Sequence, residues 1–330
     1  MAYSRPRETW LPERAPLRIA AVLVACLLRS GAAAADEVPD DESPAVIPPV
    51  PTPSPVVLAG KPTKPDRVGR PLEWRWDRFT TIDLIVTGAG AVTTLAMSIV
   101  KPRGAHVSGG ILFDDAVRDA LRPNSLQTRY MFRDASDVGL SLMVTWPFFA
   151  DSLMSAWWYR GSRDVAEQMA LVNLQTLAIT GAVQGMTNVL VSRERPYGKD
   201  CGSAGLPSDA IDCEGSTHYR SFFSGHSAFS FAGAAVVCMD HIKHELLGEP
   251  WDTLSCAGGY AVAATTATFR VVGDVHYATD VISGALVGTL IGYGVPMLHY
   301  AHVNLGTVQS GSLHMQVVPS GLGAGVVGTF

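Results

Sequence analysis

The sequence predicts an all-α fold, a bundle of about six apolar helices with polar clusters gathered at one end. Hydrophobic residues make up 47% of the 330 positions and charged residues only 17%, which is more apolar side chain than the surface of an ordinary soluble domain requires. Small residues, chiefly glycine and alanine, recur through most of the apolar stretches and allow helices to pack closely. The predicted helices cover residues 80–100, 138–150, 170–192, 224–239, 255–269 and 281–301.

The N-terminal part of the chain is predicted to lie outside this bundle. Two arginines, Arg14 and Arg18, precede the apolar run IAAVLVACLL, and a group of alanines then supplies a cleavage site. This is the pattern of an export signal peptide over residues 1–35. A lipoprotein processing box ending at Cys26 and an uncleaved anchor are alternative interpretations of the same run. Residues 36–70 are acidic and then proline-rich, so we expect an extended, disordered linker.

The remainder of the chain divides into a main domain and a short tail. The main domain, residues 71–302, holds all six predicted helices. The tail, residues 303–330, is rich in β-branched residues and glycine, a composition that predicts a short β-hairpin.

A cation, an imidazole and a carboxylate follow one another near the end of the main domain. Arg270 precedes His276 by five intervening residues, and Asp280 follows after three more. If a helix begins near His276, the four-residue spacing places Asp280 on the same face, where its carboxylate can fix the tautomer of the imidazole. The free ring nitrogen is then a nucleophile, and the planar fork of Arg270 suits phosphate oxygens. A surface ion triad on a helix is the alternative interpretation.

Two further polar clusters precede this one at the ends of apolar segments. Ser224, Gly225 and His226 open an uncharged helical run, where serine can cap the helix and the first backbone amides can face an anion. Arg193 and Arg195, the latter followed by a proline, end the preceding apolar segment. Alone, a basic helix end followed by proline is a weak signal, because such residues often only reach toward solvent.

Taken in order, the three clusters resemble the type 2 phosphatidic acid phosphatase family, which also contains bacterial acid phosphatases and vanadium haloperoxidases. The family pattern reads K-x6-R-P, then P-S-G-H, then S-R-x5-H-x3-D. The resemblance covers roughly residues 110–300. The matching residues are Arg195 and Pro196 in the first motif, Ser224, Gly225 and His226 in the second, and Arg270, His276 and Asp280 in the third.

The resemblance implies a phosphohistidine mechanism that uses no metal and no cofactor. In it His276 attacks phosphorus, Asp280 orients that histidine, and His226 protonates the leaving group. The phosphate oxygens are held by Arg195, Arg270 and the turn from Ser224 to His226. The implied function is a metal-independent phosphatase that hydrolyses a phosphomonoester or diphosphate, with a lipid phosphate as the expected substrate. A vanadium-dependent haloperoxidase and a non-catalytic lipid-phosphate-binding envelope protein are the alternatives.

Three positions depart from the family pattern. Asn188 stands seven residues before Arg195, where the pattern has lysine, so the site lacks one cation. Arg193 is a candidate to replace that charge as a phosphate-binding residue. Phe223 stands in place of the proline of the second motif, and Phe269 in place of the serine of the third.

Cysteine and histidine usage supports export and gives no metal site. Cys201 and Cys213 lie in the polar loop between the first two motifs, where a disulfide could close the loop in an oxidising compartment. Cys238 and Cys256 lie in apolar segments and are expected to be buried thiols. The pair His241 and His244 is expected to be solvated at a helix end, since its spacing is not convincing for a metal.

The net charge of −5 and the absence of a long basic run exclude a nucleic-acid partner. We expect an exported protein of the bacterial cell envelope with a periplasm-facing site, and we favour membrane association over a soluble exported bundle. A cleaved signal leaves the mature N-terminus outside. Three membrane spans before the first motif would then turn the site toward the cytoplasm, whereas a short second segment that does not span would return it to the outside.

Overall fold

The computed structural model describes residues 71–102, 104–203, 206, 212–213, 216–300, 308–310, 313–320 and 323–329. The predicted signal peptide, with its alternative processing site at Cys26, and the predicted linker lie outside the described residues. Within the described part, the predicted all-α bundle is confirmed. It contains seven helices: α1 (Thr81–Ile99), α2 (Asp114–Leu121), α3 (Leu126–Trp146), α4 (Arg163–Val191), α5 (Gly225–His244), α6 (Trp251–Val272) and α7 (Ala278–Tyr300).

The helix predicted at 138–150 begins earlier and extends further than the sequence suggested. Ser125 caps α3 by accepting a hydrogen bond from the backbone N–H of Thr128, so the helix starts with three polar turns before its apolar stretch. Beyond Pro147, which has no N–H to donate, the chain continues as a π-helical segment, Pro147–Tyr159. The prediction missed these polar turns because it followed apolar residues only.

The ends of four helices form one polar mouth. The helix α4 ends at Val191 and α5 begins at Gly225, while α6 ends at Val272 and α7 begins at Ala278. The first motif therefore follows α4, the second opens α5 and the third joins α6 to α7, as predicted. His276 precedes α7 instead of lying in it, and only Asp280 is in the first turn of that helix.

A row of glycines seats α7 against α5 just behind the mouth. Gly284, Gly288 and Gly292 recur every four residues and face the backbone of α5. A methyl group on Gly284 would lie 2.6 Å from the carbonyl oxygen of Ser224, and one on Gly288 would collide with that of Ala228. Because only hydrogen fits at these positions, the two helices approach closely. This contact holds the start of α7 beside the start of α5.

Two helices of the described part, α1 and α7, are long and apolar enough to cross a membrane, by length and composition alone. Large apolar side chains of α1 are exposed, among them Ile82, Ile85 and Leu95. Leu290 and Leu298 of α7 are exposed as well. An exposed apolar surface of this extent marks a partner or a membrane.

The C-terminal tail is a three-stranded antiparallel sheet in the order β1-β2-β3. Its strands are β1 (Val308–Ser310), β2 (Leu313–Ser320) and β3 (Gly323–Thr329). Strands β2 and β3 make the predicted hairpin, in which Val317 pairs with Val326. The short strand β1 is an addition to that prediction.

Two predictions about buried residues were wrong. Cys238 and Cys256 are joined in a disulfide instead of being free thiols, with their Cα atoms 4.4 Å apart, because α5 and α6 pack closely through small residues. His241 and His244 are buried instead of solvated. The ring of His241 lies between two carboxylates, 2.6 Å from Asp252 and 3.2 Å from Asp151, since α6 and the π-helical segment cover this end of α5.

Candidate active site

His276 is buried at the mouth, and a backbone carbonyl fixes its tautomer. Its Nδ1 lies 2.8 Å from the carbonyl oxygen of Ser221, so Nδ1 carries the proton and Nε2 keeps its lone pair. The carboxylate of Asp280 is 3.9 Å from the same nitrogen, too far for a hydrogen bond. The expected direct contact between Asp280 and His276 is therefore replaced by the Ser221 carbonyl.

Asp280 acts instead as the centre of a buried network that includes Arg193. It accepts hydrogen bonds from the Ser221 hydroxyl at 2.6 Å and the backbone N–H of Tyr277 at 2.9 Å. The guanidinium of Arg193 donates to it at 2.6 Å and to Asp114 at 2.8 Å. Because both carboxylates and this arginine are fully buried, the charges are paired with one another. Both Nη nitrogens of Arg193 are thus taken by groups of the protein, so its fork is not free to hold a phosphate.

The second histidine of the site, His226, lies at the start of α5 beside an aspartate of α3. Its Nε2 is 2.6 Å from Oδ1 of Asp137. The guanidinium of Arg270 donates to the same oxygen at 3.3 Å and to the hydroxyl of Ser136 at 3.0 Å. Asp137 therefore couples the candidate acid of the second motif to the arginine of the third.

The turn before α5 is held by the residue that replaces the family lysine. Ser224 caps α5, and its N–H donates to the carbonyl of Asp280 at 3.1 Å, which ties the second motif to the third. The side-chain amide of Asn188 donates to the carbonyl oxygen of Phe223 at 3.1 Å. Two departures from the family pattern thus contact each other, and Gly225 follows them as the first residue of the helix.

Burial sets the protonation of the two histidines. It lowers the pKa of His276 to about 3, and the charges of Arg195 and Arg270 act in the same direction, so this imidazole is neutral at neutral pH. Burial also lowers the pKa of His226, which the hydrogen bond to Asp137 partly opposes. A neutral His276 is the form that a nucleophile requires.

Two arginines of the motifs keep donors available. Arg195 and Arg270 each have a buried Nε with no hydrogen-bond partner among the described residues. Burial lowers the pKa of Arg270 to about 9, with the neighbouring charge of Arg195 adding to the effect, which leaves it charged at neutral pH. Buried donors without partners are uncommon in folded proteins, so this end of the bundle is suited to an anion.

A disulfide closes the loop beside the mouth. The structure joins Cys201 to Cys213, with their Cα atoms 5.8 Å apart. The pair packs against Tyr197 and Val275, and Val275 immediately precedes His276. No group of three or more His, Cys, Asp or Glu side chains in the described part of the chain is arranged to hold a metal ion.

The structure adds site residues that the motif analysis missed. They are Asp114 of α2, Arg133, Ser136 and Asp137 of α3, and Ser221 of the loop before α5. The α3 residues repeat at three- and four-residue spacings, which places them on one face of a helix. That polar stripe ahead of an apolar segment was a readable signal. Nothing local marks Asp114 or Ser221, because their partners are distant in sequence.

Comparison with known proteins supports the resemblance to this family. Residues 170–303 match the family model of the PAP2 superfamily. A lipid A 1-phosphatase of Porphyromonas gingivalis is 27% identical over 146 residues, which are 44% of this chain and 27% of that protein. The chain thus matches only about a quarter of the length of this relative. A transmembrane PAP2-type phosphatidylglycerolphosphate phosphatase of Bacillus subtilis aligns with a TM-score of 0.41 and 20% identity, covering 66% of this chain and 92% of that one. Residues 170–303, which contain all three motifs, therefore match the PAP2 superfamily, and the resemblance is confirmed.

Proposed function

We propose that the protein is a lipid phosphatase that works through a phosphohistidine intermediate without a metal ion. The observation that carries the proposal is the state of His276. Its Nδ1–H is held by the Ser221 carbonyl, so Nε2 is the free nucleophilic nitrogen, and it lies at the mouth where the arginines of the first and third motifs keep unpartnered donors.

In the first step Nε2 of His276 attacks phosphorus and the bond to the leaving oxygen breaks. Arg195, Arg270 and the first amides of α5 stabilise the charge on the phosphoryl oxygens. His226, held by Asp137, gives its proton to the leaving oxygen. Asp280 stabilises the positive imidazole ring through Ser221 and its own negative charge.

In the second step water hydrolyses the phosphohistidine. His226, now neutral, takes a proton from the water as it attacks phosphorus, and the phosphorus–nitrogen bond breaks to release phosphate. His276 returns to its neutral form, in which burial already holds it. Each residue thus ends in its starting state.

An apolar surface beside the mouth supports a lipid substrate. Residues 111–113 immediately precede Asp114, which bonds Arg193 and Thr279 at the site. Their side chains are exposed, Leu112 at 89%. Exposed apolar tips of this kind suit a membrane surface or acyl chains. The match to a lipid A 1-phosphatase agrees with a phosphate carried on a lipid.

Phosphate release from a short-chain phosphatidic acid in detergent, with chelator present, tests the proposal. We expect turnover by the wild type and none by His276→Ala, because the variant lacks the nucleophile. Acid-sensitive phosphate should be trapped on wild-type protein quenched during turnover. Retained activity in His276→Ala would overturn the assignment.

The same assay separates the alternative functions. Binding of the lipid without release of phosphate would favour a non-catalytic lipid-phosphate-binding protein. Activity that disappears with chelator would exclude the metal-independent mechanism. A matched assay with a water-soluble phosphomonoester, which has no acyl chains, measures how much of kcat/KM depends on the lipid.

A further inference from the structure

The proposed site has one cation fewer than its family, and neither nearby candidate replaces it. The amide of Asn188 is committed to the carbonyl of Phe223 and carries no charge. Arg193 also has an unpartnered Nε, but both of its Nη nitrogens are bonded and its charge is already balanced by the carboxylates of Asp114 and Asp280. A dianionic phosphate at this mouth therefore needs a positive charge from another part of the fold.

Arg133 of α3 contacts the loop that joins Arg270 to His276. Its Nε donates to the carbonyl of Gly273 at 2.7 Å, between Arg270 and His276 in the chain, and its Nη1 donates to Asp212 at 2.7 Å. These two contacts fix the plane of the guanidinium. The ring of Tyr197, two residues after Arg195, lies 5.4 Å from its central carbon.

The third nitrogen of this guanidinium, Nη2, is buried and has no hydrogen-bond partner among the described residues. Nε of Arg195 and Nε of Arg270 are in the same condition. Burial lowers the pKa of Arg195, and the positive charge of Arg133 lowers it further. The charge of Arg133 also lowers the pKa of Arg270, which agrees with its contacts to Gly273, in the loop after Arg270, and to Tyr197, two residues after Arg195. Three mutually repelling guanidiniums, each with a buried donor that has no partner among the described residues, need an anion among them.

We propose that Arg133 is the third phosphate-binding cation of the site, so that α3 supplies the charge that the first motif lacks at Asn188. The inference rests on the proposed function and adds a binding residue to it. In the phosphate-bound site, Nη2 of Arg133 donates to a phosphoryl oxygen while Nε and Nη1 keep their present partners. Asp212, adjacent to the Cys213 disulfide, positions the guanidinium.

A purely structural role for Arg133, in holding the loop through Asp212, gives a different result in variants. Arg133→Gln keeps a donor for Gly273 but removes the charge. Arg133→Lys keeps the charge but loses the fork. Asp212→Asn keeps the guanidinium and removes its ion pair. Arg78→Gln, at an exposed ion pair with Asp164 on the far end of the bundle, is a matched control for loss of one arginine charge.

The test measures the affinity for inorganic phosphate by calorimetry and kcat/KM on the short-chain phosphatidic acid, using the full chain. We expect Arg133→Gln to weaken both by roughly ten- to a hundredfold, the effect of one charged hydrogen bond. Arg133→Lys should reduce phosphate affinity and kcat/KM less than Arg133→Gln does. Asp212→Asn should reduce them less than either. Introducing Asn188→Lys into Arg133→Gln should recover part of the loss, because a cation returns to the family position.

Equal losses in Arg133→Gln and Asp212→Asn would overturn the proposal, as would phosphate affinity unchanged in Arg133→Gln. If Arg133→Gln does not fold, Arg133→Lys is the deciding variant. It lacks the planar guanidinium, so it should bind phosphate more weakly than the wild type, whereas Arg78→Gln should bind phosphate as the wild type does. Failure of the proposed function is a separate result. A wild type that binds phosphate through Arg133 but releases none from lipid would disprove the phosphatase and retain the binding residue.

Discussion

At the scale of single residues, His226 should determine the alkaline side of the pH profile. As the proposed acid it must be protonated, and burial lowers its pKa below the usual 6.5 while the hydrogen bond to Asp137 opposes the shift. Activity should therefore fall as pH rises through this lowered pKa. In Asp137→Asn the opposing charge is gone and the pKa falls further, so the alkaline limb of kcat/KM against pH should move to lower pH.

The control for this prediction is Asp134→Asn, which removes an exposed carboxylate from the same helix one turn away. Its alkaline limb should coincide with that of the wild type. The charges facing His226 are those of Asp137, Arg270 and Arg195. A limb that stays in place in Asp137→Asn would show that His226 is not the group that titrates.

Whether a site residue could be predicted from the sequence depends on how far away its partners lie in the chain. His276, Asp280, Arg270 and His226 could be predicted because their spacing within each motif already carries the chemistry. The Ser221 carbonyl could not be predicted as the group that orients His276, since its role depends on a loop conformation 55 residues earlier. The same limit applies to the partners of Arg193.

At the scale of helices, the free energy of unfolding should depend on the close contact between α5 and α7. Gly288→Ala places a methyl group against the carbonyl of Ala228, and backbone cannot yield as a flexible side chain can. We expect a loss of roughly 1–3 kcal/mol in the free energy of unfolding, the usual effect of overpacking. Chemical denaturation in detergent measures it.

Gly294 provides the matched control on the same helix. A methyl group there meets nothing within 4 Å, and alanine has a higher helix propensity than glycine by about 1 kcal/mol. Gly294→Ala should therefore be neutral or stabilising. If both variants lose the same stability, the glycine row does not set the distance between α5 and α7.

Helix positions were predictable where apolar runs and helices coincide, and α1 agrees with its predicted range to within one residue at each end. The helix α3 shows why others were not. It carries Arg129, Arg133 and Asp137, whose partners belong to other elements. Polar residues in a helix are stabilised here by tertiary contacts, which a search for apolar segments does not detect.

At the scale of the whole molecule, the direction of α1 decides which side of a membrane the mouth would face if α1 crossed it. The helix ends beside it, where Arg220 bonds the carbonyls of Met97 and Val100. If a signal peptide is cleaved and α1 alone crosses the membrane before α3, the crossing carries the mouth to the cytoplasmic side. A periplasm-facing mouth with a cleaved signal therefore requires that α1 does not cross, as in a bundle that lies outside with the exposed apolar side chains of α1 resting on the membrane.

The two disulfides distinguish these arrangements, because they lie at different depths. Cys201–Cys213 closes the loop at the mouth, whereas Cys238 is 13 residues into α5, about 20 Å from the mouth at the usual rise per residue. We expect both pairs to be linked in protein alkylated in intact cells and mapped without reduction, since an exported bundle meets oxidants along its whole length. Linkage of the loop pair alone, with Cys238 and Cys256 alkylated, would instead indicate a bundle that crosses the membrane with its mouth outside. In that case residues 71–80 would lie in the cytoplasm, and the predicted cleaved export signal would be wrong.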